Sequence, residues 1–183
     1  MLWLAYGVPY AAEATRVEAK DTDGDGTPDH WVTYEGPRPV RLERDRNGDG
    51  KPDVWATYTY GASAGERRGE TTVDRNFDGT PDYWRTEQNG RPVREWGDLN
   101  GDGAADHWTF YDAKGRKQWV VMDKNGDRRP DAWFLYGEPG AQVPVMARPI
   151  AGEIDDDYDG KPDRTFGTLP TNRPTVDGRT FQK

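Results

Sequence analysis

Residues 21–31 read DTDGDGTPDHW, which sets four aspartates at positions 1, 3, 5 and 9 of the stretch and a glycine at position 6. Carboxylates this close repel one another unless a positive charge offsets them. The stretch recurs as DRNGDGKPDVW from Asp45, DRNFDGTPDYW from Asp74, DLNGDGAADHW from Asp98, DKNGDRRPDAW from Asp123 and DDDYDGKPDRT from Asp155. Oxygen donors on alternate residues suit calcium, which takes about six to eight ligands from carboxylates, amides, backbone carbonyls and water. Zinc prefers His or Cys, which the motif lacks at ligand spacing. Magnesium demands a stiffer octahedron and keeps more water, so it is the weaker candidate.

The pattern names its ligands. In the first loop they are Asp21, Asp23, Asp25 and Asp29, with the backbone carbonyl of Thr27 at position 7. The second offers Asp45, Asn47, Asp49, Lys51 (backbone) and Asp53; the third Asp74, Asn76, Asp78, Thr80 (backbone) and Asp82. The fourth offers Asp98, Asn100, Asp102, Ala104 (backbone) and Asp106; the fifth Asp123, Asn125, Asp127, Arg129 (backbone) and Asp131. The sixth offers Asp155, Asp157, Asp159, Lys161 (backbone) and Asp163. Up to six calcium ions follow. Glycine at position 6 permits a sharp turn with φ above zero. The fifth copy has Arg128 there, so it is expected to be the weakest site.

Two helices cannot flank these loops. Between Asp29 and Asp45 stand only HWVTYEGPRPVRLER, broken by Gly36, Pro37 and Pro39. Position 12, where an EF-hand places a bidentate Glu, is Val32, Ala56, Arg85, Thr109, Phe134 and Phe166. The flanks are β-branched and aromatic: WVTYE, WATYTY, YWRTE, WTFYD and WFLYG after the loops, VRLER, ETTV, PVREW and KQWVVM before them. Turn signals such as Gly36-Pro37, Asn89-Gly90 and Lys114-Gly115 separate the two sets. Each unit is therefore strand, turn, strand, acidic loop, and the fold class is all-β. We expect an antiparallel meander of β-hairpins, elongated or barrel-like, with the loops joining successive hairpins. Inserts at GASAGERRG and GEPGAQVPVMARP read as longer loops. Loop starts are 24, 29, 24, 25 and 32 residues apart, a repeat architecture.

The β-loop-β arrangement resembles the calcium loops of FG-GAP repeats and, more distantly, thrombospondin type 3 and dockerin-type D-x-D-x-D-G motifs. The likeness covers the six loops, about a third of the chain. It implies ligand roles and not a fold: thrombospondin-type repeats carry cysteines, and FG-GAP blades are about twice this period.

Of 183 residues, 33% are hydrophobic and 32% charged, a poor endowment for a core. Eight Trp and nine Tyr nevertheless argue for order, and bound metal can supply folding energy that a core lacks. Twenty of the 33 acidic residues stand at ligand positions, leaving 13 to face 25 Lys and Arg. Negative charge is thus concentrated in the loops, and no basic run suggests nucleic acid. Absence of cysteine excludes disulfides and thiolate zinc sites. No segment approaches the length of a membrane span. Residues 1–14 read either as a signal-peptide remnant ending near Ala12-Glu13-Ala14 or as a first strand. Residues 15–166 form the six-repeat domain and 167–183 a polar tail.

Trp31, Trp55, Trp84, Trp108 and Trp133 each stand two residues after a closing Asp. Such a row serves as core between repeats or as a sugar platform; core is the expectation. Tyr34, Tyr58, Tyr111 and Tyr136 fall on the opposite face of their strands. His30 and His107 share one repeat position with Val54, Tyr83 and Ala132, and Ser63 is the only serine, so no catalytic set can be assembled. The chain reads as a non-enzymatic, calcium-stabilised structural or interaction protein, secreted, periplasmic or at a cell surface, where calcium is plentiful. Other copies of itself, a cell-surface protein or a glycan are the partners left open.

Overall fold

The computed structural model describes residues 14–137 and 148–176. Twelve strands form a single sheet in which every strand pairs antiparallel with its sequence neighbour. They are β1 (Thr15–Lys20), β2 (His30–Glu35), β3 (Arg38–Arg44), β4 (Val54–Tyr60), β5 (Arg67–Val73) and β6 (Tyr83–Gln88). The meander continues with β7 (Arg91–Gly97), β8 (His107–Tyr111), β9 (Lys117–Met122), β10 (Ala132–Leu135), β11 (Ala151–Ile154) and β12 (Arg164–Phe166). Among the described residues β1 and β12 are the two unpaired edges, so of the two expected forms the sheet is the open one. The first described strand lies at 15–20; the reading of residues 1–14 as a signal-peptide remnant or a first strand falls, Ala14 apart, outside the described residues. So does most of the GEPGAQVPVMARP insert. The GASAGERRG insert is shorter than its composition suggests, because β5 begins at Arg67.

Turn chemistry fixes the hairpins at one end of the sheet. Asn89 and Gly90 join β6 to β7 with φ of 53 and 75°, the double positive φ of a two-residue type I′ loop. The register then slips by one residue at the same point of three repeats: between Thr33 and Tyr34, between Thr86 and Glu87, and between Phe110 and Tyr111. Each slip leaves one unpaired residue on the return strand (Val40, Val93 and Gln118), a bulge that sharpens local twist.

Cross-strand register places one transverse row on one face. It runs Trp31, Glu43, Trp55, Thr72, Trp84, Trp96, Trp108, Val121 and Trp133 from β2 to β10. Trp84 and Trp96 stack with centroids 6.4 Å apart and planes within 10°. The next row on this face changes character along the sheet. It is polar at Thr33, Arg41, Thr57, Glu70 and Thr86, then apolar at Phe110, Trp119, Leu135 and Ala151. The core therefore sits in the C-terminal half, in one cluster of Ala105, Trp108 and Val121 and another of Trp119, Leu135 and Ala151. Val176 packs on the first cluster and Leu169 on the second, while Arg173 pairs with Glu153 at 2.6 and 2.8 Å. Chain beyond β12 thus covers half of the tryptophan face. Only Trp108 of the expected tryptophan row is fully buried; Trp31, Trp55, Trp84 and Trp133 are half-buried.

On the other face the tyrosines are capped by cations. Arg16 lies 4.1 Å from the Tyr34 ring centre, Arg67 4.9 Å from Tyr58, Arg75 5.2 Å from Tyr83 and Lys117 3.9 Å from Tyr136. Each such contact contributes about 0.5–1 kcal/mol at an exposed site. Arg16, Arg67 and Lys117 are strand residues and Arg75 comes from the third loop, and together they let a one-layer sheet shield its second face. No helix of the described residues is long and apolar enough to cross a membrane.

Candidate metal centre

All six acidic loops occur at the same end of the sheet. Each joins an odd strand to the next even one: 21–29, 45–53, 74–82, 98–106, 123–131 and 155–163. A backbone hydrogen bond shuts each loop at its base, from the closing Asp N–H to the residue before the opening Asp: Asp29 to Lys20 at 2.9 Å, Asp53 to Arg44 at 2.8 Å, Asp131 to Met122 at 2.7 Å. Hairpin pairing up to the loop thus fixes the separation of positions 1 and 9.

Inside the loop, carboxylates curl the backbone. Asp45 accepts the N–H of Gly48 at 2.8 Å on one oxygen and that of Gly50 at 2.7 Å on the other. Asn47 Oδ1 accepts from Asp49 N at 3.1 Å, and Asp49 Oδ1 from Lys51 N at 2.8 Å. The same pattern holds around Asp21, Asp74, Asp98 and Asp123. At position 7, the N–H groups of Thr27, Lys51, Thr80, Ala104, Arg129 and Lys161 each donate to the position-5 carboxylate. Alternate side chains therefore turn inward, as the spacing requires. Position 6 has positive φ throughout, including Arg128 at 72°. Position 4 does too, which the sequence reading passed over: Gly24, Gly48, Gly101 and Gly126 share it with Phe77 and Tyr158, each at 62°. Four glycines in six copies were the available signal.

Burial divides the ligands. Eight of the twelve opening and closing carboxylates are sunk into the end of the sheet: Asp29, Asp45, Asp53, Asp74, Asp106, Asp123, Asp131 and Asp155 are buried, Asp82 and Asp98 half-buried, and Asp21 and Asp163 exposed. Those at positions 3 and 5 are exposed. In the first loop, Asp21, Asp23 and Asp29 each bring one oxygen within 4.8 Å of the others; in the sixth, Asp155, Asp157 and Asp159 do so. These are the two loops with Asp at position 3. The other four place the amides Asn47, Asn76, Asn100 and Asn125 there.

The electrostatics are those of an anion cluster. Burial raises the Asp106 pKa, and the carboxylates of Asp98 and Asp102 add to it against the N–H groups of Leu99 and Asn100. Asp131 is raised by burial in the same way, with Asp123 and Asp127 adding to it. For the exposed Asp157 the Asp159 N–H pulls downward, but partial desolvation and the charges of Asp163, Asp159 and Asp155 win and the pKa rises. Asp21 moves the other way, held down chiefly by the N–H groups of Gly24 and Gly26. Two buried oxygens, Asp106 Oδ1 and Asp155 Oδ1, have no hydrogen-bond donor. An unpartnered buried carboxylate oxygen is costly, and a hard cation satisfies it. The donor set is all oxygen, so the residues fit a calcium or magnesium ion and not zinc.

Neighbouring loops touch. Arg46 of the second loop reaches the Asp74 carbonyl at 2.9 Å and lies 5.1 Å from the Phe77 ring centre in the third. Lys124 of the fifth contacts Asp156 at 3.2 Å and lies 5.9 Å from the Tyr158 ring centre in the sixth. Position 4 thus abuts the preceding loop. The two histidines stay in the sheet, and burial lowers the His107 pKa.

No family model matches this chain. No curated protein and no solved structure matches it either.

Proposed function

We propose that this chain is a calcium-binding repeat protein that works outside the cytoplasm as a calcium-stabilised structural or interaction module, without catalysis. The observation that carries the reading is Asp155 Oδ1, a buried oxygen without a donor in a loop that also brings Asp157 and Asp159 together. Calcium would supply charge neutralisation there. The chain supplies the rest: backbone N–H groups hold the carboxylates in place, and hairpin pairing fixes the loop mouth. Sites of modest affinity fill where calcium is millimolar and stay largely empty in cytosol, which is the reason for an extracytoplasmic setting. Native mass spectrometry in ammonium acetate with added calcium tests it: one or more bound ions are expected, and an apo-only spectrum at millimolar calcium contradicts it.

A second reading rests on the edges. Every residue of β1 is exposed, and β12 is likewise open. Unpaired strand edges template further pairing, which suits a self-assembling surface layer or fibre subunit. Sedimentation velocity with and without calcium separates the two: a monomer at all concentrations favours the module, growing species the subunit.

A further inference from the structure

The six loops share a backbone but not the side chain at position 2, and in the first three that side chain meets the closing carboxylate, whereas Lys124 of the fifth reaches Asp156 of the sixth instead. In the first loop Thr22 Oγ1 donates to Asp29 at 2.8 Å. In the second, Arg46 Nε donates to Asp53 Oδ1, a pair in which the carboxylate is buried. In the third, Arg75 Nε donates to Asp82 Oδ1 at 2.8 Å and Nη2 to the Asp82 carbonyl at 3.3 Å. The fourth loop has Leu99, 62% exposed, which turns away. There the Asp106 carboxylate receives two backbone N–H groups on Oδ2, both at 2.9 Å, and nothing on the buried Oδ1. The sixth has Asp156, committed to Arg164 and Lys124, and its opening Asp155 Oδ1 is the second buried oxygen without a donor.

Like loops thus differ in how their buried negative charge is met. A guanidinium on the closing carboxylate places a positive charge beside the cluster, and a second cation there is repelled. Without it the carboxylate is free for a metal. We propose that a guanidinium at position 2 lowers the metal affinity of its loop: Arg46 and Arg75 stand in for a cation in the second and third loops, while the fourth and sixth, which lack one and keep a buried oxygen without a donor, are the tight divalent sites. This rests on the calcium reading and deepens it, because a chain with six similar motifs then carries two kinds of site. Internally neutralised loops hold β3 to β6 together at any calcium level. The fourth and sixth loops respond to the ion, and they flank the half of the sheet that carries the core.

Isothermal calorimetry of calcium into the full chain tests this, with circular dichroism confirming that each variant folds. The parent should show a tight and a weak class of sites. Leu99→Arg, at an exposed position, should remove one tight site, its affinity falling about tenfold, the effect of a repulsion of roughly 1.4 kcal/mol. Arg75→Leu should move one site from the weak to the tight class, and Arg46→Leu should do the same. Unchanged tight stoichiometry in Leu99→Arg would overturn the proposal. So would weaker binding in both arginine variants, which would make the guanidinium an orienting partner of the ligand. Absence of calcium heat in the parent would instead overturn the calcium reading, and this proposal with it.

Discussion

The backbone N–H of Asp45, which opens the second loop, donates to the carbonyl of Asp29, which closes the first, at 2.9 Å. The relation repeats along the whole edge: Asp74 to Asp53 at 2.9 Å, Asp98 to Asp82 at 3.0 Å, Asp123 to Asp106 at 2.8 Å and Asp155 to Asp131 at 2.8 Å. Successive loops are therefore joined end to end through main chain. These five amides should exchange with solvent much more slowly than loop amides such as those of Asp23 or Asn47. Hydrogen exchange by NMR in calcium buffer reads this directly. Fast exchange at Asp45 and Asp74 would mean the loop edge opens locally.

Tryptophan substitutions should separate by position and not by residue type. Trp108 is 1% exposed, inside the cluster that Val121, Ala105 and Val176 complete. Trp108→Ala should cost about 3–5 kcal/mol. Trp31, in the same row but over the polar half of the sheet, should cost clearly less on truncation. Chemical denaturation of both variants checks the order. Equal losses would show that the polar half is also covered. Melting of Trp31→Ala like the parent, together with lost binding on a glycan array, would favour a carbohydrate platform.

Arg128 carries a φ of 72°, where five sibling loops have glycine. An L-residue in that region costs roughly 1–2 kcal/mol. Arg128→Gly should raise stability by about 1 kcal/mol in EDTA, and it should also strengthen calcium binding at the fifth loop by removing a nearby cation. A lower melting temperature in EDTA would mean that the arginine makes a compensating contact.

Alkaline stability should follow the tyrosines. Burial, reinforced by Glu95, pushes the Tyr83 pKa up to about 12. Tyr58, Tyr111 and Tyr136 are also raised, chiefly by burial. Above about pH 10 the unfolded chain releases these protons while the folded chain keeps them. The unfolded state then binds fewer protons, so stability falls as pH rises from about 10 through about 12. Tyr83→Phe should flatten that fall. A Tyr83→Phe profile matching the parent between pH 10 and 12 would remove this residue from the account.

Strands and loops were legible because period-2 alternation and a repeated nine-residue motif are local signals. The turn at Asn89-Gly90 announced itself for the same reason. What escaped was non-local or masked by substitution. Phe77 and Tyr158 occupy a left-handed position that glycine fills in sibling loops, and they are held against the preceding loop by Arg46 and Lys124. The division of the tryptophan face could not be read from the tryptophans, because it is set by the next row, where Thr33 and Thr57 give way to Phe110 and Trp119. Packing of Leu169 and Val176 joins residues far apart in sequence, and no periodic pattern points to it. Position 2 looked like an ordinary exposed residue until its reach to position 9 was visible.

Thermal melting in calcium and in excess EDTA tests the central claim most directly. A site held at a hundred times its dissociation constant contributes about 2.7 kcal/mol. Two tight sites therefore shift the melting temperature of a chain this size by on the order of 10–20 °C. The account predicts a drop of at least that size on chelation, restored by added calcium. Superimposable melting curves in calcium and EDTA would contradict it.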